Sequence, residues 1–329
     1  MTTMRTRLFG RTLAALLCGG ILAGTSRPAH ADLEAFWAFN EGAGTTVNDL
    51  SGNGNTGTFA ASSWTTGQSG AGGDFALNAV GGGQAVSIPT VGNFSAIGTN
   101  NAVTLSMWFY GDAALQPRNN TTVQGMNGGN RIVFTHTPWG DQRIYWDSGN
   151  AGCCGGNVRI SYLANSPTSQ YKGQWNYLTL VKNGNTDFSG IYINGTLVAS
   201  TGGSSANLAG LTSLVLAPDY RGFLDDIAIY SQAINQDTIT AMATGVLANG
   251  VTYTDALVGS NGYTMLPGTT QVILNGTEAN YYLGGTDVQA GRLAVLGSST
   301  LGTGDVTVAS GAEVFIANGV THNNNFFIA

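Results

Sequence analysis

The sequence predicts an all-β protein: a two-sheet antiparallel sandwich followed by a shorter β-rich segment of different pattern. Three observations carry this. Of 329 residues, 49 are glycine and only 9% are charged; many Gly, Asn, Ser and Thr with few Glu and Lys suit a chain of turns and strands, not helices. Short apolar runs recur at 85–88, 103–110, 132–135, 143–146, 158–162, 175–182, 190–193 and 213–217, with Gly/Asn turns between them, the spacing of a sandwich. Past residue 249 the runs become shorter and β-branched between Gly turns. The length allows one large or two modest domains with a real core.

Taken in order, residues 1–31 read as a secretory signal. Arg5, Arg7 and Arg11 precede the apolar run 13–23, and Ala29-His30-Ala31 offers a small-residue cleavage site. The run is far shorter than the roughly 20 residues a membrane span needs. The expectation is an exported protein, secreted or held at the cell surface or in the periplasm, with no transmembrane segment in the mature chain. Removing Arg5, Arg7, Arg11 and Arg27 leaves 12 − 4 = 8 basic residues against 18 acidic, a net of −10. That balance argues against nucleic acid and anionic membrane as partners. The mature chain keeps Cys153 and Cys154, too few for a disulfide framework or a zinc site; a vicinal disulfide and two idle thiols both fit.

Residues 33–39 form the first predicted strand, and the polar loop 48–57 after it carries Gly and Asn where positive φ is needed. Asn194-Gly195 between two apolar runs predicts a tight hairpin. The run 223–230 reads as a strand of period two, with Phe223, Asp225, Ile227 and Ile229 on its core face. That puts the Asp225 carboxylate at the rim of the core, where it needs a cation or several N–H donors. Asn235 then caps a short helix whose apolar stripe is Ile239 and Met242.

Five stretches together carry a resemblance. They are Phe36-Trp37-Ala38-Phe39-Asn40-Glu41-Gly42 with Asp49-Leu50-Ser51-Gly52-Asn53-Gly54-Asn55, then Val103-Thr104-Leu105-Ser106-Met107-Trp108-Phe109, Gly173-Gln174-Trp175-Asn176-Tyr177-Leu178, Tyr192-Ile193-Asn194-Gly195, and the closing run 222–230. In this order they resemble laminin-G-like, concanavalin A-type jelly-roll domains over about 33–245. The resemblance implies a jelly roll with first and last strands side by side, and Trp37, Trp108 and Trp175 in packing positions. It implies no one activity, since such domains include glycan binders, adhesion modules, spacers and hydrolases. Farther on, Gly291-Arg292-Leu293-Ala294-Val295-Leu296, then Leu301-Gly302-Thr303-Gly304-Asp305-Val306-Thr307-Val308 and Ser310-Gly311-Ala312-Glu313 resemble the repeat of autotransporter passenger β-helices over about 287–316. That implies a short β-solenoid of two or three rungs, with Leu293, Val295, Val306, Val308, Val314 and Ile316 pointing inward. The expected division is 1–31 signal, 32–248 jelly roll and 249–329 solenoid segment.

Catalysis is not expected. The four glutamates, Glu34, Glu41, Glu278 and Glu313, do not form the Glu-x-Asp-x-x-Glu strand of jelly-roll hydrolases, and His136 and His322 are the only histidines past residue 31. Glycan binding has a candidate face: Trp139 in the loop 137–141, with Arg143, Tyr145, Trp146 and Asp147 on the next strand. Aromatic faces stack on sugar rings while polar groups orient them. Against this, alternation turns one of Tyr145 and Trp146 inward. A structural calcium ion is the candidate cofactor, held by Asp49, Asn53 and Asp225; the alternative is that both aspartates accept backbone N–H bonds. The expected role is a non-catalytic carbohydrate-binding or adhesion module, with a polysaccharide or glycan, or a surface protein, as partner. A spacer without ligand and a degenerate hydrolase are the alternatives.

Overall fold

The computed structural model describes residues 33–61, 63–89, 94–149, 159–164, 170–202, 206–208 and 210–329. The segment expected to be a signal, residues 1–31, and Cys153-Cys154 lie outside these residues.

Among the described residues the apolar alternation builds two eight-stranded antiparallel sheets. In the first, Ala102–Gly111 sits centrally between Asn176–Asn183 and Gly222–Tyr230, and Leu33–Trp37 lies antiparallel to Gly222–Tyr230 with Trp37 opposite Ile227. First and last strands of the sandwich are therefore neighbours, as the jelly roll requires. The second sheet runs Arg159–Leu163, Arg143–Asp147, Asn130–His136, Val123–Asn127, Ser213–Leu216, Val86–Ile88, Gly57–Thr58 and Thr46–Val47. Between the sheets Trp37, Leu105, Phe109, Trp146, Leu180 and Ile191 pack in one buried core. Asn194 and Gly195 both take positive φ, 50° and 81°, the twist that a two-residue hairpin needs. The Asn235 side chain accepts from Thr238 N and starts the helix Gln236–Thr244.

The strand Gly222–Tyr230 departs from strict alternation. Its register against Ala102–Gly111 slips between Asp225 and Ala228, and Asp226 adopts φ +47°. This is a β-bulge, which inserts one residue and shifts the phase of everything before it. Leu224 thus faces the core with Ile227 and Ile229, while Phe223 turns outward and stacks on Tyr110 at 5.2 Å. The expected core face of Phe223 and Asp225 beside Ile227 is corrected accordingly.

A β-solenoid of about four turns follows over 252–328. One parallel sheet stacks Thr252–Tyr253, Gln271–Leu274, Arg292–Val295 and Glu313–Ile316; another stacks Tyr263–Met265, Thr286–Val288, Val306–Val308 and Phe326–Ile328. The expected two or three rungs undercount it, because the first turn is built of strands of two or three residues, too short for periodicity to show. Leu293, Val295, Val306 and Val308 are buried inside; Val314 and Ile316, in the last of the four turns, are half-buried.

Sandwich and solenoid share a second hydrophobic cluster. Phe36, Trp108, Tyr177 and Tyr230, on the outer face of the first sheet, pack in it with Tyr253, Leu257, Tyr263 and Met265 of the solenoid. The Tyr230 hydroxyl donates to the Ala256 carbonyl at 3.0 Å across this seam. Among the described residues no helix is long and apolar enough to cross a membrane.

Candidate functional site

The outer face of the second sheet, away from the seam, holds the richest side-chain constellation. On Arg143–Asp147, Ile144 and Trp146 enter the core, so Arg143, Tyr145 and Asp147 face out. Register sets Tyr145 opposite His136 and Asp147 opposite both Phe134 and Arg159. The connecting turn is closed by Gln142 N donating to Trp139 O at 2.9 Å and Trp139 N donating to Arg143 O at 2.8 Å. It lifts Trp139 over His136, with ring centroids 4.5 Å apart. The result is a cleft of about 320 Å³ lined by Arg131, His136, Trp139, Asp141, Tyr145 and Arg159, with Thr121 at its edge.

Its charges are fixed by one carboxylate. Asp147 is 1% exposed, and it accepts from Arg159 Nε at 2.5 Å and Nη2 at 2.6 Å, and from Arg131 Nη1. A buried carboxylate needs such partners, and bidentate guanidinium pairing also locks the plane of the fork. Each guanidinium lies over a ring as well, Arg131 on Phe134 at 3.9 Å and Arg159 on Tyr145 at 4.5 Å. Tyr145 donates its hydroxyl to Asp141 Oδ2 at 2.5 Å. His136 donates from Nδ1 to the Asn120 carbonyl. Burial pushes its pKa down, the charges of Arg131 and Arg159 act the same way, and the Asn120 carbonyl partly opposes them. The imidazole is therefore neutral near pH 7, with Nε2 as an acceptor.

Of the ligand residues expected from the sequence, Trp139 and Tyr145 meet in this cleft and Asp147 lies beneath them. Arg143 stands just outside the lining and reaches Ser161 Oγ at 3.4 Å. Trp146 does not take part: it is fully buried and donates its indole N–H to the Val181 carbonyl at 3.2 Å. The alternation that brings Tyr145 out turns Trp146 in, which corrects its inclusion. Arg131, His136 and Arg159 were not read from the sequence. Their signal was there: arginines at 131 and 159 on the two strands that flank Asp147.

The residues expected to hold calcium each have protein partners. Asp49 Oδ1 accepts from Phe36 N at 3.1 Å and Ser51 N at 2.9 Å, and Oδ2 accepts from Asn55 N at 2.9 Å. Asn53 turns its amide N–H toward the carbonyls of Leu33 and Glu34. Asp225 accepts from Gln68 N and Asp226 N, both at 2.8 Å. The two carboxylates thus serve different segments, and among the described residues no three His, Cys, Asp or Glu are grouped to hold a metal. Backbone N–H groups already supply the compensation that an ion would bring. Melts in calcium and in chelator decide between the two readings: a calcium-dependent rise that Asp49→Ala abolishes would support a structural ion, and coinciding melts would leave the backbone N–H groups as the whole compensation.

A larger trough of about 760 Å³ follows the seam between sandwich and solenoid, with Gln68, Trp108, Asn261, Asp287 and Asp305 in its lining. Trp108 is only 9% exposed there, so it presents little ring face. The cleft is the better candidate.

Residues 80–240 match the family model described as the concanavalin A-like lectin/glucanases superfamily. No curated protein matches the chain. Among solved structures it is similar to the receptor binding domain of botulinum neurotoxin C/D mosaic serotype, with TM-score 0.51 and 16% identity over 65% of this chain and 51% of that one. It is likewise similar to the botulinum neurotoxin serotype D binding domain, with TM-score 0.50, 15% identity, and 65% and 52% covered. The serotype D ligand binding domain in complex with N-acetylneuraminic acid gives TM-score 0.50 and 15% identity, with 64% and 50% covered. The chain thus spans about half the length of these structures, and at such identities the likeness is one of fold. Sheet topology and family match agree: the sandwich has a concanavalin A-like jelly-roll fold, and its residues 80–240 match the laminin-G-like model of that superfamily.

Proposed function

We propose that the protein is an exported, non-catalytic carbohydrate-binding module of the cell surface or extracellular space, and that the cleft on the second sheet is its ligand site. The observation that supports this is the pairing of a half-buried indole, Trp139, with guanidiniums held rigid by Asp147. A sugar needs an apolar plate for its ring face and oriented polar groups for its hydroxyls. Prior fixing of those groups lowers the ordering cost of binding. The solenoid acts in this reading as a spacer that covers the opposite sheet and leaves the cleft open.

A glycan array on residues 32–329, followed by calorimetry on the hits, tests it. Trp139→Ala should weaken binding by about 1–3 kcal/mol, the range for losing one large buried side-chain face. Unchanged affinity in that variant would remove the cleft, and no hits at all would favour a spacer without ligand.

A further inference from the structure

We propose that the cleft is selective for sugars bearing a carboxylate, which seats on the N–H groups that Arg131 and Arg159 do not give to Asp147. This rests on the reading of the cleft as a carbohydrate site and names its ligand class.

Three observations converge. A guanidinium carries five N–H donors, and Asp147 takes one from Arg131 and two from Arg159. Neither side chain makes another hydrogen bond among the described residues, and both are partly exposed, 15% for Arg131 and 22% for Arg159. Unused donors in a fork already fixed in plane are what a planar oxyanion engages by paired bonds. The second observation is charge. Past residue 31 the chain has 8 basic residues against 18 acidic, yet three of the eight, Arg131, Arg143 and Arg159, gather on this face. Asp141 and Asp147 balance Arg131 and Arg159 in the cleft, and Arg143 at its rim leaves one surplus positive charge on the face, 3 − 2, in a negatively charged protein. That surplus matches a monoanion. The third is the rest of the lining: neutral His136 with Nε2 as acceptor and the Trp139 indole. An acceptor suits a sugar hydroxyl and a ring plate suits the sugar ring, so the ligand is a carboxylated polyol and not a simple anion.

The test compares matched pairs on the intact chain 32–329: oligosaccharides ending in glucuronic acid or glucose, and sialylated oligosaccharides with their desialylated counterparts. The acid of each pair should bind at least tenfold tighter. The preference should vanish in the methyl ester, shrink as salt rises, and be lost in Arg159→Gln, whose fold is checked by its melt. Trp139→Ala should weaken both members of a pair. Neutral partners that bind as tightly as the acids in the wild type would overturn the selectivity and leave the cleft a sugar site. So would a preference that survives Arg159→Gln in a folded variant. Failure of every sugar to bind would instead overturn the reading on which it rests.

Discussion

Asp226→Asn should raise the melting temperature at pH 8 and flatten its dependence on pH. Asp225 and Asp226 sit at the bulge, 0% and 1% exposed. Burial pushes both carboxyls up, Asp226 to about 7 and Asp225 well above the ordinary carboxylate range, with Asp74 adding repulsion to each. Ser260 opposes the shift by donating its N–H and its hydroxyl to Asp226, each at 2.8 Å, but burial outweighs it. A carboxyl with a raised folded value holds its proton where the unfolded chain has lost it. Its protonated form therefore favours the fold at low pH, and that advantage is lost as pH climbs from about 4 to about 7. At about 1.4 kcal/mol per pH unit the loss is of the order of a few kcal/mol. Asparagine tolerates the positive φ here. Its amide can accept from Ser260 N and donate to the Ser260 hydroxyl, so the geometry survives while the charge does not. The measurement is a melt of both proteins at pH 5 and pH 8. Equal stability of the wild type at the two values, or an asparagine variant that melts lower at pH 8, would show that the pair is fully compensated as charged groups.

The second large effect is expected from cutting the chain after residue 248. The matched strands of the jelly roll all precede that point, which suggests a sandwich able to stand alone. The shared cluster points the other way. Without the solenoid, Trp108, Tyr177 and Tyr230 would lose the cover of Tyr253, Leu257, Tyr263 and Met265. Tyr230 would also lose its acceptor at Ala256, and Leu33 N its bond to Glu278 Oε2 at 3.2 Å. Exposing an aromatic of this size costs about 1.5–3 kcal/mol, and a whole domain has only about 5–15 kcal/mol to lose. The fragment 32–248 should melt far below the full chain and bind a hydrophobic dye. A soluble fragment with a cooperative melt within a few degrees of the full chain would show that the seam contributes little.

How far the cleft was legible in the sequence depends on distance along the chain. Trp139 and Tyr145 share a hairpin, so a short window finds them. Arg131 and Arg159 belong to strands on either side, and only pairing in register brings both onto Asp147. Trp146 shows the limit of composition, because its aromatic character fits a sugar plate and its parity places it in the core. Asp49 and Asp225 show another: the carboxylates and their local donors at Ser51, Asn55 and Asp226 are legible, but each also takes an N–H from afar, from Phe36 and Gln68, 13 and 157 residues away.

Sequence by itself determined the elements whose cause is local. Gly and Asn turns, period-two apolar runs and the Asn235 cap act through the backbone of a few neighbouring residues, and they suffice for an all-β sandwich and a solenoid. The tertiary structure alone decided the phase of Gly222–Tyr230, the fourth solenoid turn and the seam. It also decided the meeting of two arginines over one buried carboxylate. Each of these depends on which strand lies beside which, and the free energy that selects it, burial of apolar area and compensation of charge, is released only when distant segments pack together.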